Sequence, residues 1–406
     1  MELTPCFLNN LSPEFYDYIH SNINADVYQL LLKNDFQNII EKNIAITQIE
    51  CRQKIKNKLP FIFDNERFLF PSKLLAEQST SEKLALFHSS LFAGCRSVLD
   101  MTAGLLIDSY FISKDGIAVT AIEINKESYE YGLHNLNVLD SHIKLISGDS
   151  SEFIKETEEI FDAIFIDPAR RGDNNKKLYR IEDCSPNIAD LLDELEKKSN
   201  YIIVKASPML DITLLKNKFD NLSDIWILSI NNDCKEVLFK IDFMRVEGSG
   251  LTIHTANYEK ASAQMFDYKD CSIDMDGLRI YFPEINQFLY EPNASIMKAG
   301  AFVHLLRRFP MLSKLHVNTH LFISDTFIPE FPGRKFRIKE IIPFKEKELK
   351  KIRESYKTIN VSVRNFRLTA DLLKNKLKIK DGGDDYLFGS ILNDDKAYLL
   401  ICTKTE

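Results

Sequence analysis

The chain has 406 residues, more than one average domain, and at roughly 100–200 residues per domain two to four are expected. Its composition, 45% hydrophobic and 27% charged with few Gly and Pro, excludes a large disordered part. The net charge of -7 argues against a protein that coats nucleic acid non-specifically, and no apolar run reaches the ~18 residues that a membrane span needs. The N-terminus lacks the basic-then-apolar pattern of a signal peptide, so a cytoplasmic protein is expected. The seven cysteines are scattered, with no Cys-x-x-Cys pair, and read as buried free thiols.

Residues 1–92 read as helices. Ser12-Pro13-Glu14 suits a cap and first turn, and apolar residues recur at helical spacing through Ile19, Val27, Leu30, Leu31 and Ile39. Pro60 and Pro71 interrupt the region, and a helix from Ser81 to Phe92 leads up to Gly94. The pattern then changes to short apolar runs alternating with helical stretches. Strands are predicted at Ser97–Asp100, Ala118–Glu123, Ile143–Ser147, Phe161–Asp167, Tyr201–Lys205 and Asp224–Ser229, with Glu236–Phe243 as a terminal, antiparallel strand. Such alternation predicts an α/β fold: a mostly parallel sheet with helices on both faces.

From about Glu247 to Ile328 shorter strands mix with one helix near Ser295 to Arg308, and Phe331-Pro-Gly-Arg-Lys335 reads as a turn or linker. Beyond it, helices at Glu346–Lys357 and Thr369–Lys376 alternate with strands at Ile359–Val363, Tyr386–Ile391 and Ala397–Cys402, with Asp381-Gly-Gly-Asp384 as a turn. From Lys335 to Glu406 there are 17 Lys and Arg against 11 Asp and Glu, a balance of +6 that leaves -13 on the remainder. A basic C-terminal module on an acidic body suits local RNA contact; a solvated helix face has the same composition.

In an open α/β sheet a ligand sits beyond the carboxyl ends of the strands, and here those ends carry carboxylates. Asp100 ends the first run and opens the turn Asp100-Met-Thr-Ala-Gly104-Leu-Leu-Ile-Asp108; Glu123 ends the second, Asp149 follows the third, and Asp167 ends the fourth. Gly104 lets the backbone approach a nucleoside cofactor, and Glu123 can accept both ribose hydroxyls. Asp149 can accept from an adenine amino group, and a carboxylate after the first strand favours a cationic ligand. The Gly-x-Gly-x-x-Gly of dinucleotide sites is absent, which disfavours NAD.

This spacing resembles the class I S-adenosylmethionine-dependent methyltransferases, over about 150 residues. The resemblance implies a Rossmann-like domain with a mostly parallel seven-stranded sheet, and S-adenosyl-L-methionine as cofactor. It implies cofactor contacts at Asp100, Thr102, Ala103, Gly104, Asp108, Glu123, Ile124, Asp149, Ser150 and Asp167. The family usually has another glycine in the first loop, where this chain has Leu105 and Leu106. Ile166-Asp-Pro-Ala-Arg-Arg171 resembles the Asp/Asn-Pro-Pro-x motif of methyltransferases acting on bases or amides, whose acidic or amide side chain accepts hydrogen bonds from a planar nitrogen. Pro168 stiffens that turn and keeps Asp167 extended. Asp-Pro-Ala-Arg also resembles the uracil-5 RNA methyltransferases, which use a nucleophilic Cys after the next strand. Here the stretch reads Lys205-Ala-Ser-Pro208, so Ala206 takes the place of the thiol and covalent attack is not expected. Catalytic positions are then Asp167, Pro168, Arg170 and Lys205. Asp167 orients the target, Arg170 and Arg171 bind phosphate or pair with Glu182 or Asp183, and Lys205 steers an anionic group.

Asp167-Pro-Ala-Arg-Arg171, Lys205-Ala-Ser-Pro-Met-Leu-Asp211, Tyr290-Glu-Pro-Asn-Ala294, Phe331-Pro-Gly-Arg334 and Asp381-Gly-Gly-Asp-Asp-Tyr-Leu-Phe388 together resemble a bacterial methyltransferase group. That group has a ferredoxin-like segment and a C-terminal THUMP-like domain. The resemblance implies four parts: a helical N-terminal region at 1–92, the methyltransferase domain at 93–246, and small α+β domains at 247–332 (ferredoxin-like) and 333–406 (THUMP-like). Because THUMP domains bind RNA in tRNA-modifying enzymes, it implies RNA as partner, with no membrane. His316-Val-Asn-Thr-His320 has the spacing of a helical metal pair but lies in a strand-like context without the Glu of His-Glu-x-x-His, so no metal is expected. Tyr290-Glu-Pro-Asn293 reads as a turn before a helix. The expected function is methylation of an RNA base by direct, non-covalent transfer; a methyltransferase for a protein amide or small molecule, or a non-catalytic RNA-binding scaffold, are the alternatives.

Overall fold

The computed structural model describes residues 8–33, 36, 38–170, 181–246, 248–259, 262–271 and 278–405. It divides into two compact units: Met1–Ala206, Phe219–Asn221 and Phe239–Val246 form the first, and Ser207–Lys218, Leu222–Leu238 and Glu247–Glu406 the second. Among the described residues no helix is long and apolar enough to cross a membrane.

The first unit opens with helices α1 (Pro13–Ser21), α2 (Val27–Leu32), α3 (Ile39–Ile55), α4 (Pro60–Phe63), α5 (Lys73–Gln78) and α6 (Glu82–Ser90). The Ser12 hydroxyl accepts from the Phe15 N–H, which caps α1 as the sequence predicts. The chain continues through β1 (Ser97–Asp100), α7 (Ile107–Ser113), β2 (Ala118–Glu123), α8 (Lys126–Val138), β3 (Lys144–Ser147), α9 (Ser150–Glu156) and β4 (Phe161–Ile166). A two-stranded ribbon, β5 (Ala169–Arg170) with β6 (Cys184–Ser185), precedes α10 (Ile188–Lys198) and β7 (Ser199–Ala206). Strands β7, β4, β1, β2 and β3 lie side by side in that order and are all parallel. Val98, Leu99, Ile164, Ile202, Ile203 and Val204 are wholly buried, as strands covered on both faces require. Because β1 is flanked by β2 on one side and β4 on the other, the strand order reverses between β1 and β4. That reversal opens a crevice at their carboxyl ends.

The helical region shares its cores with the α/β part. One cluster joins Cys51, Ile55, Phe68, Phe70 and Ala85 to Leu105, Ile107 and Phe111; another joins Phe15, Ile46 and Ile49 to Tyr131 of α8. Phe68–Phe70 lies outside the helices and strands, and side-chain amides satisfy the backbone of Leu69 and Phe70. Asn135 of α8 accepts from the Leu69 N–H at 2.9 Å and donates to its carbonyl at 2.8 Å, and Gln48 of α3 does the same for Phe70 at 2.7 and 3.0 Å. Beneath it the buried Arg52 guanidinium donates to the carbonyls of Phe63, Asn65, Glu66 and Phe68.

In the second unit α11 (Ile212–Lys218) leads to β8 (Leu222–Ile230). β9 (Asp233–Asp242), whose last residues belong to the first unit beside β7, follows a two-residue turn. Asn231 and Asn232 both take left-handed backbone there, at φ 51° and 62°, as the tightest hairpin turns demand. Where seven strands were expected, β10 (Thr252–Tyr258) and β11 (Ala263–Lys269) add two more: β10 runs parallel to β8 from Thr252 beside Asp224, and β11 is antiparallel to β10. The result is a large, mixed, mostly parallel sheet.

The rest of this unit comprises β12 (Phe288–Pro292), α12 (Ala294–Ala299), α13 (Phe302–Arg308), β13 (Ser313–His316), β14 (Thr319–Ser324), β15 (Gly333–Pro343), α14 (Glu346–Ser355), β16 (Asn360–Arg364), α15 (Ala370–Leu377), β17 (Asp385–Ile391) and β18 (Ala397–Lys404). The single helix expected near Ser295–Arg308 is broken in two at Gly300. The segments on either side of Phe331–Lys335 share one seven-stranded sheet, β13-β14-β12-β15-β18-β17-β16. Its seam explains two sequence motifs. Glu291, 1% exposed, takes Arg334 Nε at 2.6 Å, Arg364 at 2.7 Å and the Ser362 hydroxyl at 3.2 Å. Gly333 lies so close to the Glu291 carbonyl that a Cβ would sit 2.1 Å from it, so only glycine fits. Of the cysteines expected to be buried, Cys51 and Cys402 are, Cys271 is exposed, and Cys95, Cys184 and Cys234 are half-buried; Cys6 lies outside the described residues.

Replacing Asn135 by Leu strands the buried Leu69 N–H and carbonyl without partners. A loss of about 2–4 kcal/mol is expected in urea unfolding; an unchanged midpoint contradicts the pinning role.

Candidate active site

The crevice between β1 and β4 is lined from Asp100 outward. Asp100 is 1% exposed; its Oδ1 accepts from the Thr102 N–H at 2.9 Å and its Oδ2 from the Ser109 hydroxyl at 2.5 Å. Burial pushes its carboxyl up to about 7, against the pull of those hydrogen bonds and with a further push from Asp108 and Asp167. Asp100 is therefore poised to change charge near neutrality, and a cation beside it draws it into the ionised form. The following loop crosses both neighbouring strand ends, with the Met101 N–H on the Phe165 carbonyl at 3.0 Å and the Ala103 N–H on the Ile122 carbonyl at 2.9 Å. Glu123 closes it: the Gly104 N–H donates to one carboxylate oxygen at 2.9 Å and the Asn125 N–H to the other at 2.7 Å. Burial raises the Glu123 carboxyl, opposed by these backbone donors. Next to it Ile124 is 71% exposed, an apolar surface at the end of β2. Asp149 is exposed and caps α9 by accepting from the Ser151 N–H at 2.7 Å, while Ser150 is buried.

Leu105 and Leu106, where a glycine is usual, both turn inward. Leu105 is 7% exposed within the cluster shared with the N-terminal helices, and Leu106 is 2% exposed. Leu106 takes the left-handed conformation itself, at φ 61°, as the residue preceding α7. Its side chain fits because residue 132 of α8 is glycine: a Cβ there would lie 3.3 Å from Leu106 Cδ1 and 2.8 Å from Leu145 Cδ2. The loop thus keeps a glycine-like backbone with a leucine as its anchor.

Beyond β4, the Asp167 N–H donates to Thr102 Oγ1 at 2.7 Å, which joins this turn to the Asp100 loop. The Asp167 carboxylate is 2.6 Å from Lys205 Nζ, which also donates to Thr80 Oγ1 at 3.0 Å. Thr80 donates to Asp108 at 2.6 Å, and His88 Nδ1 is 2.7 Å from the other Asp108 oxygen. Although burial alone would raise it, the charge and hydrogen bond of His88, with Lys205 and Thr80, hold Asp108 down at about 2. Lys205, expected to steer an anion, is thus engaged with Asp167 and Thr80, and Asp108 with Thr80 and His88. Thr80 and His88 are not among the residues the sequence singles out: one lies just before α6 and the other within its polar last turn, His88-Ser-Ser90, and neither belongs to a motif. Pro168 follows Asp167 half-buried. The Arg170 backbone pairs with Cys184 in β5–β6; its side chain and Arg171, the expected phosphate ligands, lie outside the described residues. His316 bonds Asp395 at 2.9 Å and His320 stacks on Phe302 at 3.7 Å, each at a strand position.

Both buried Leu106→Ala and Leu106→Gly lose packing, but only glycine escapes the left-handed cost of about 1 kcal/mol. The Gly variant is expected to be the more stable in urea titration, reversing the usual preference; a more stable Ala variant contradicts the account.

The chain is similar to the crystal structure of a "putative methyltransferase" from Porphyromonas gingivalis W83, at 29% identity and a TM-score of 0.84 over 100% of both chains. Less similar are a class I S-adenosylmethionine-dependent methyltransferase structure, also marked "putative", from Listeria monocytogenes (11% identity, 61% of this chain and 93% of that one, TM-score 0.34) and the O-methyltransferase from Bacillus cereus in complex with SAH (14%, 40% and 82%, 0.31). Residues 288–332 match a ferredoxin-like domain family and residues 333–404 a THUMP domain-like family. No curated protein matches the chain. Over its full length the chain is a homologue of the Porphyromonas gingivalis protein, an α/β body of large, mixed, mostly parallel sheet with ferredoxin-like and THUMP-like segments after it.

Proposed function

We propose that the chain is an S-adenosylmethionine-dependent methyltransferase that methylates a base in RNA by direct transfer. The observation that carries this reading is the junction at the β1/β4 crevice, where Thr102 binds both Asp100 and the Asp167 backbone. It couples a loop suited to a cationic nucleoside with a carboxylate suited to a substrate N–H.

The donor set fits the cofactor. Asp100, which titrates near neutrality, favours the methionine end's positive charge; Glu123 retains acceptor capacity for ribose hydroxyls; exposed Ile124 offers an apolar face to the adenine, and Asp149 an acceptor to its amino group. When bound, the cofactor supplies a methyl group on a sulfonium, so the protein has chiefly to align the acceptor. Asp167 accepts the hydrogen bond of the target nitrogen and holds its lone pair toward the methyl group. The proton that this nitrogen would give up on methylation would pass to water, which reaches the part-exposed Asp167 carboxylate. Lys205 balances the charge of Asp167 at 2.6 Å, which suits a neutral acceptor. Ala206, in place of a thiol, supports transfer without a covalent enzyme adduct. The THUMP-like match and the +6 charge balance of residues 335–406 support RNA as the substrate.

Incubation with radiolabelled donor and under-modified RNA is expected to place label in ribonuclease-sensitive material, with RNA binding that weakens steeply as salt rises. Asp167→Ala should lower incorporation by about 100-fold. Label found only in protein or small molecules overturns the RNA reading.

A further inference from the structure

Thr80 and His88 lie upstream of the α/β sheet, yet both reach its site. His88 is wholly buried and Thr80 is 5% exposed. Each bonds one oxygen of Asp108, and these hydrogen bonds can run in one direction only. Ionised Asp108 accepts and cannot donate, so the single Thr80 proton goes to Asp108 and His88 presents Nδ1–H to it. The lone pairs of Thr80 then face Lys205, whose ammonium only donates. The remaining link is Lys205 to Asp167.

We infer that Thr80 and His88 are positioning residues of the transfer site: His88 holds Asp108, Asp108 holds the Thr80 hydroxyl, and Thr80 fixes the Lys205 ammonium and through it the direction of the Asp167 carboxylate. The inference rests on the methyl-transfer reading above. It makes the helical region part of the site, since a threonine before α6 and a histidine within it supply two members of a five-residue chain. Asp108 becomes a structural hub, held by two donors from outside the β1–α7 loop. Burying such a carboxylate without them carries a heavy desolvation penalty, which is why the chain must be complete.

Thr80→Val removes the hydroxyl at nearly constant volume, and Thr80→Ser restores it; His88→Leu removes the Nδ1 donor, and His88→Asn restores a donor near that point. At saturating donor, Thr80→Val and His88→Leu are expected to lower the rate of methyl transfer by about 10–100-fold. Affinity for S-adenosylmethionine should hold, and Thr80→Ser and His88→Asn should recover most of the rate. Folded Thr80→Val protein transferring methyl at the wild-type rate overturns the inference. A second measurement needs no turnover: the downfield imidazole N–H proton resonance of His88 should vanish in Asp108→Asn and shift in Thr80→Val. A resonance indifferent to Thr80 also overturns it. Wild-type protein that shows the shift and binds donor but methylates no acceptor counts against the methyl-transfer reading and leaves the hydrogen-bonded chain standing.

Discussion

Burial of the Asp100 carboxylate at the end of β1 is the constraint from which the site follows. A carboxylate 1% exposed must find donors, and the nearest are the Thr102 backbone and the Ser109 hydroxyl, so the chain turns sharply after β1 and returns as α7. That turn places the Thr102 hydroxyl where it accepts the Asp167 N–H, and the Gly104 N–H where it meets Glu123. Three strand ends are thereby joined through one loop. The reversal of strand order between β1 and β4 supplies the space, and the loop supplies the polarity.

The loop also shows how a fold tolerates departure from a usual sequence. Leucines at 105 and 106 would block a cofactor loop if they pointed outward. Leu105 instead enters the core formed with the N-terminal helices, and Leu106 uses the gap left by Gly132. The helical region thus does more than precede the α/β fold. It buries the loop's apolar anchors and, through Thr80 and His88, reaches the polar side of the same loop.

Much of this was legible in the sequence because it is local. Apolar runs ending in Asp100, Glu123 and Asp167 reveal strands whose carboxyl ends carry acids, and all seven strands expected between Ser97 and Phe243 lie within a few residues of observed ones. What depends on tertiary register was not legible. Nothing in residues 252–269 declares that they pair with β8, and nothing local shows that strands on either side of Phe331–Lys335 complete one sheet. The engagement of Lys205 is likewise hidden, since its partner Thr80 is 125 residues away. Arg334 and Gly333 illustrate the middle case: a turn was foreseen, but its reason, the close approach of Gly333 to the Glu291 carbonyl, appears only in three dimensions.

Methyl transfer by this chain requires that the Asp100–Glu123 crevice hold the cofactor. Calorimetric titration with S-adenosylmethionine tests this most directly, using the full chain and a folded Glu123→Ala variant. Saturable binding at one site per chain, lost or severely weakened in Glu123→Ala, is the predicted result. No saturable binding, or equal affinity in the variant, would contradict it.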